Sequence, residues 1–180
     1  MTKPFSIVII TGSPTRPSRS LGLAQLVKQR LAREAFELRE IHVRDLPAEA
    51  LLHANYDDPK IKEANEIVAQ AQGVIIATPV YKAAYTGVLK AFLDLLPQFG
   101  LRDKVVFPLM TGGTIAHVLA LDYGLRPVLQ SLGPKLVVAG LFVLDKGIEL
   151  GPDGPTLDPA VVPRLEEVTQ TFIEGLNAHH

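Results

Sequence analysis

Residues 11–20 of the 180-residue chain read TGSPTRPSRS and gather Ser13, Ser18, Ser20, two threonines, Arg16 and Arg19. They follow an apolar run, FSIVII, and precede LGLAQLVKQRLAREAF, which has helical spacing; no acidic residue occurs before Glu34. An anion at a helix N-terminus meets unpaired N–H groups and the positive end of the helix dipole. Hydroxyls add neutral donors and guanidinium groups add charge-assisted ones. The stretch therefore suits a phosphate, with Ser20 placed as the helix N-cap. The competing reading is a solvated loop in which Ser20 caps the helix and the arginines face water. Neither GxxxxGK[ST] nor GxGxxG is present, so the usual nucleotide-loop motifs do not apply.

Two further stretches offer different chemistry. ATPVYKAAYTG (77–87) contains Pro79, Val80, Tyr81, Lys82 and Tyr85. Its tyrosines can wall a flat ring, and backbone amides around Val80–Lys82 can address a heterocycle edge; alternatively the tyrosines cap the core with their hydroxyls in water. TGGTIAH (111–117) contains Thr111, Gly112 and Gly113, and the glycine pair permits close backbone approach to a ligand or simply a tight turn. His42, His53 and His117 lack metal-ligand spacing, the chain has no cysteine, and no GxSxG elbow marks a hydrolase. No metal site and no acid–base dyad is expected.

The elements that must position these loops are strands and helices in alternation. Phe5–Ile10, Glu37–Val43, Gly73–Thr78, Val105–Met110 and Leu136–Leu144 are mostly continuous apolar runs, as in strands covered on both faces. Helical spacing marks Leu21–Ala35, Pro59–Ala71, Val88–Leu96, Tyr123–Leu132 and Pro159–Leu176. The expectation is an α/β, flavodoxin-like, doubly wound five-stranded parallel sheet, order 2-1-3-4-5, with helices on both faces and residues 1–180 as a single domain. In such a sheet ligands bind beyond the carboxyl ends of the strands, where the three stretches fall. Pro108 requires either a strand end or a short neighbouring strand. GIELGPDGPTLDP (147–159) reads as a surface loop, and the terminal NAHH as a frayed end.

Formal net charge is -1 and 47% of residues are hydrophobic, which excludes a basic nucleic-acid binder and fits a globular core. MTKPFSIVII is too quickly interrupted for a signal peptide, and no run reaches membrane-span length. A cytoplasmic protein without membrane or nucleic-acid partners is expected.

One anion-binding loop and two loops built for a flat ring, at one end of such a sheet, describe an FMN pocket. The residues TGSPTRPSRS, LLHANYDDP, ATPVYKAAYTGVLKAFLDLLP and PLMTGGTIAHVLALDYGLRPVL also resemble the NAD(P)H-dependent FMN reductases of the flavodoxin-like superfamily, in the family's order and spacing over most of the chain up to Gly133. Within these, the sequence is most similar to the reductase components of two-component alkanesulfonate monooxygenase systems. The resemblance implies a flavoprotein oxidoreductase of sulfur metabolism that reduces FMN with NADPH or NADH and hands reduced flavin to an FMNH2-dependent monooxygenase. It implies that Ser13, Arg16, Ser18, Arg19 and Ser20 hold the FMN phosphate. Pro79, Val80, Tyr81 and Lys82 would contact the ring, with Thr111, Gly112 and Gly113 opposite. It places Tyr123 in a π-bulged helix at a tetramer interface near the flavin, although Gly124 stands where alanine is more usual. It implies a homodimer or homotetramer, and Phe92, Leu95, Leu96, Leu125, Val128 and Leu129 are apolar residues that a chain of this size is expected to leave for such an interface. Two other readings share the pocket: a quinone, azo or chromate reductase with tightly bound FMN, and an electron carrier, against which the near-zero net charge argues.

Overall fold

Burial of every residue along the first strand demands a core on each side of it. In β1 (Ser6–Thr11), Ile7 and Ile9 join one buried cluster and Val8 and Ile10 the other. The computed structural model describes residues 4–179. Its elements follow β1 as α1 (Arg19–Leu31), β2 (Glu37–His42), α2 (Ala48–Leu52), α3 (Pro59–Gln70), β3 (Gly73–Tyr81), β4 (Ala84–Tyr85) and α4 (Gly87–Leu93). Then come β5 (Val105–Gly112), a π-helical turn (Ala120–Leu125), α5 (Arg126–Ser131), β6 (Leu136–Val137), β7 (Leu141–Leu144), β8 (Ile148–Gly151), β9 (Gly154–Leu157) and α6 (Val162–His179). Leu23 and Val27 of α1 and Phe172 of α6 pack on one face of the sheet; Ala64 and Val68 of α3, Leu89 and Phe92 of α4 and Leu129 of α5 pack on the other.

The fold is α/β and flavodoxin-like with helices on both faces, but the sheet corrects the expected five strands. It has seven, with the path β2-β1-β3-β5-β6, β4 paired to β3 and β7 paired to β5. All pairs are parallel except the short β3–β4 hairpin. Two local causes add the extra strands. The chain after β3 doubles back for two residues as β4, and the expected run Leu136–Leu144 is interrupted between β6 and β7.

That interruption resolves Pro108. Val106 and Leu109 of β5 pair with Val137 and Leu141, so Pro108 lies beside the break. Alternate residues of a parallel strand address the same neighbour, and the Val106 carbonyl accepts from Val138 N–H at 2.9 Å. Pro108 therefore turns its missing N–H toward the broken strand, where a Cβ on Gly140 would come within 2.9 Å of the Pro108 carbonyl oxygen.

Three smaller expectations are also corrected. Residues 147–159 are not a plain loop: β8 and β9 form an antiparallel hairpin closed by Gly151-Pro152-Asp153-Gly154, with Gly154 at φ 113. The last helix continues through Asn177–His179 rather than fraying there, while His180 and residues 1–3 lie outside the described residues. Phe92, Leu95, Leu96, Leu125 and Leu129 are buried within the chain itself, with Val128 partly so.

Candidate functional site

Parallel pairing brings the carboxyl ends of β1, β3 and β5 side by side, with Thr11 opposite Ala77 and Pro79 opposite Thr111. The three stretches singled out by their chemistry therefore leave the sheet at adjacent points.

The loop from Gly12 to Ser18 is closed by its own hydroxyls. Thr15 N–H lies 3.4 Å from Ser13 Oγ, and Ser18 Oγ lies 3.0 Å from Ser20 Oγ. Ser13, Ser18 and Ser20 are all buried. Ser18, not Ser20, is the N-cap: its extended backbone precedes the helix and its Oγ accepts from Leu21 N–H at 3.2 Å. The first turn of α1 carries no acidic residue, so its remaining N–H groups and the dipole face a ring of hydroxyls. The loop's arginines turn elsewhere. Arg16 makes a bidentate contact with Asp45 at 2.8 Å, and Arg19 Nε donates to the Ile148 carbonyl at 3.3 Å.

The ring-side loops are held from farther along the chain. Thr86 caps α4 by accepting from Leu89 N–H at 3.1 Å, and its hydroxyl donates to the Gly12 carbonyl. Thr86 N–H in turn donates to Thr78 Oγ1 at 3.2 Å. Pro79 and Val80 are partly buried, whereas Tyr81 is 45% exposed and Lys82 is exposed. Lys82 and Ala83 both have positive φ, 49 and 62, as a two-residue primed hairpin turn requires. Because β4 pairs with Val80 and Tyr81, the backbone groups expected to address a ligand there are partly used in the hairpin.

At the end of β5, Thr111 Oγ1 is buried with no hydrogen-bond partner. Gly112 sits against an aromatic wall: a Cβ there would come within 3.0 Å of Phe142 Cζ. A Cβ on Gly113 would lie 3.7 Å from Asp145 Oδ2. Phe142, Asp145, Thr78 and Thr86 were not legible as site residues, because each acts through a contact distant in sequence; only the Thr-Gly pair ahead of α4 signals a cap. Beyond this loop, Tyr123 lies in the π-helical turn and is 79% exposed. With Ala83, His117 and Leu119 it borders a groove of about 470 Å³ next to the β3–β4 turn.

The arrangement offers neutral donors for an anion, a Gly112-Gly113 backbone without side chains at the end of β5, and a buried Thr111 hydroxyl with no partner. It contains no paired acid and base at these loops. FMN fits it: the buried hydroxyls and helix N-terminus match a phosphate, and the unpartnered Thr111 Oγ1 and the side-chain-free backbone of Gly112 and Gly113 suit the edge of a planar heterocycle.

Comparison with known proteins agrees. The family model for NADPH-dependent FMN reductase matches residues 5–149. The FMN reductase (NADPH) of Escherichia coli (strain K12) is 41% identical over 171 residues, covering 95% of this chain and 90% of the relative. The FMN reductase (NADPH) of Pseudomonas putida KT2440 is 44% identical over 168 residues, covering 92% and 85%. The apo crystal structure of NADH:FMN oxidoreductase (EMOB) superposes with a TM-score of 0.85 at 46% identity, covering 93% of this chain and 88% of that one.

Proposed function

The chain belongs to the NADPH-dependent FMN reductase family, and we propose that it treats FMN as a dissociable substrate, released after reduction to a partner monooxygenase. Reduction of FMN by a reduced nicotinamide nucleotide is the family's activity. Bound FMN supplies the two-electron acceptor chemistry, which no side chain at these loops possesses. The chain's own task is to hold and align two planar partners and to keep water from between them.

In this reading Ser13, Ser18, Ser20 and the first-turn N–H groups of α1 hold the phosphate without direct help from Arg16 or Arg19, which are engaged by Asp45 and by the Ile148 carbonyl. Pro79, Val80, Tyr81 and Lys82 flank the ring, and Thr111, Gly112 and Gly113 lie opposite. N–H groups at Gly112 and Gly113 offset negative charge on the reduced ring. The observation that carries release is the engagement of both loop arginines elsewhere. Neutral donors bind a phosphate less tightly than a bidentate guanidinium, which suits a flavin that must leave.

The partner proposed is an alkanesulfonate monooxygenase. Support comes from the resemblance of the three loops and from Tyr123 standing in a π-helical turn, as the resemblance leads one to expect. Ile115, Leu119 and Tyr123 are exposed around that turn and suit self-association as a homodimer or homotetramer. A single FMN-binding domain in the cytoplasm fits a cysteine-free chain in which, among the described residues, no helix is long and apolar enough to cross a membrane.

Flavin fluorescence quenching tests the site. FMN should bind at least about tenfold more tightly than riboflavin, and Ser20→Ala should narrow that gap. Equal binding of the two flavins would contradict a phosphate cradle at α1.

A further inference from the structure

A second groove, of about 460 Å³, runs along the outer side of the serine-rich loop, between that loop, the end of β2 and the β8–β9 hairpin. Its size is that of a small-molecule site. Its lining joins Arg16, Arg44 and His42, with Ser18 and Gln25 of the loop and α1, to Leu21 and the hairpin residues Leu150 and Pro155.

The charged part of the lining is not neutralised. Asp45 is the carboxylate in contact with its guanidinium groups, and both its oxygens are taken by Arg16 at 2.8 Å. Arg44 Nε is buried without a hydrogen-bond partner, Asp45 Oδ1 being 3.9 Å away. The Arg44 side chain is only 12% exposed and is tethered through Nη1 to the Thr15 carbonyl. Burial, and after it the charge of Arg16, push its proton affinity below the usual arginine range. His42 is occupied at both ring nitrogens, by Thr11 Oγ1 at 2.8 Å and Glu40 Oε2 at 3.3 Å. Two guanidinium groups thus face one carboxylate, and a cation held this far from water favours an anionic ligand.

The hairpin part of the lining is apolar. Leu150 is 40% exposed, and a Cβ on Gly154 would meet nothing within 4 Å, so a flat body has room against the hairpin. A groove lined by both guanidinium groups and an apolar hairpin suits a phosphorylated nucleoside better than a free inorganic anion. Position narrows the choice. The groove lies at the end of β2, and the ring-side loops lie at the ends of β3 and β5, two to three strands away. That is about 10–15 Å, a span an extended dinucleotide covers.

We propose that this groove holds the phosphorylated ribose at the adenosine end of the nicotinamide donor, and that Arg44 and Arg16 thereby select the 2′-phosphorylated nucleotide, NADPH, over NADH. The inference rests on the proposed function, since it requires a nicotinamide to reach the ring-side loops.

The test is calorimetric titration of the full chain, with FMN present, using 2′,5′-ADP, 5′-ADP and inorganic phosphate. 2′,5′-ADP should bind at least about tenfold more tightly than either of the others. Arg44→Gln should abolish that difference and raise the KM for NADPH about tenfold, leaving the KM for NADH and the quenching of FMN unchanged. Equal binding of the two adenosine nucleotides by the wild-type chain overturns the proposal, as do parallel shifts for NADPH and NADH. Loss of FMN affinity in Arg44→Gln also overturns it, by giving the groove to the flavin phosphate. Because Arg44 also holds the Thr15 carbonyl, Leu150→Asp serves as a second variant: it adds a carboxylate to the groove that the guanidinium groups line and must lower the preference for NADPH. An unchanged NADPH/NADH ratio there overturns the groove. FMN quenching keeps the two readings apart. A wild-type chain that fails to quench FMN contradicts the proposed function and the groove with it, whereas intact quenching without nucleotide discrimination overturns the groove alone.

Discussion

The loop after β1 and the loops after β3 and β5 open at the same end of the sheet but are built in opposite ways. The hydroxyl donors of residues 12–20 pair locally, through Ser13–Thr15, Ser18–Ser20 and Ser18–Leu21 contacts no more than three residues apart, while Arg44 and Asp45 hold the loop's outer side. The ring side depends on partners far along the chain: Thr86 on Gly12 across 74 residues, Phe142 behind Gly112 and Asp145 beside Gly113. A cradle of locally paired hydroxyls can tune the affinity for one charged group by single substitutions. A slot assembled from distant elements changes shape when any of them moves.

The variant that breaks this contrast most strongly is Gly12→Ala, at the junction of both regions. Its Cβ would fall 2.5 Å from Leu89 Cβ, part of α4 that no rotamer change can clear. Overpacking of this kind costs about 1–3 kcal/mol, so thermal unfolding should fall by several degrees and FMN quenching should weaken with it. Next is Thr86→Val, which removes the cap of α4 and the tie to the Gly12 carbonyl. A lost cap costs about 0.5–2 kcal/mol; denaturant titration should show that loss, and flavin quenching should weaken to the same extent for FMN and riboflavin. Ser18→Ala sharpens the contrast from the other side. It should cost about 1 kcal/mol as a cap and lower FMN affinity while leaving riboflavin affinity unchanged in a quenching titration. If Thr86→Val and Ser18→Ala discriminated equally between the two flavins, the division of labour would be wrong.

What the sequence made legible follows the same line. The serine-rich loop was readable because its donors, its missing acids and the following helix lie within one short window. Even there the cap was misplaced by two residues, since Ser18 and Ser20 are equally good cap residues and only the backbone turn distinguishes them. The doubly wound core was readable because buried parallel strands are continuous apolar runs. The seven-strand count was not, because it depends on the two-residue return of β4 and on a break between β6 and β7 where Gly140 lies against the Pro108 carbonyl of the neighbouring strand. The β8–β9 hairpin is hidden by its own turn: Gly-Pro-Asp-Gly has the composition of a loop, although proline, aspartate and glycine in that order also suit a tight turn between strands. Arg44 and Asp145 gave no signal, since an isolated charged residue acquires a role only from what the fold sets beside it.

The smallest expected effect lies at the other end of β5 and serves as a control. Lys104 is buried and donates to the Ala69 and Ala71 carbonyls at 2.9 and 2.7 Å, closing the C-terminus of α3. Burial holds its ammonium below the usual lysine range. In the alkaline window between that lowered value and the unfolded value near ~10.4, the unfolded chain binds more protons than the folded one. Stability from this group therefore rises with pH there. Comparing unfolding of the wild-type chain and Lys104→Met across that window should show the slope lost, with NADPH oxidation unchanged at neutral pH.

The central claim is that FMN enters and leaves as a substrate. Its most direct test follows NADPH oxidation by the dialysed protein under air, with and without added FMN. Oxidation that requires added FMN, and saturates with it, is the predicted result. A protein that stays yellow through dialysis and oxidises NADPH at full rate with no FMN added, passing electrons to a quinone, would contradict it.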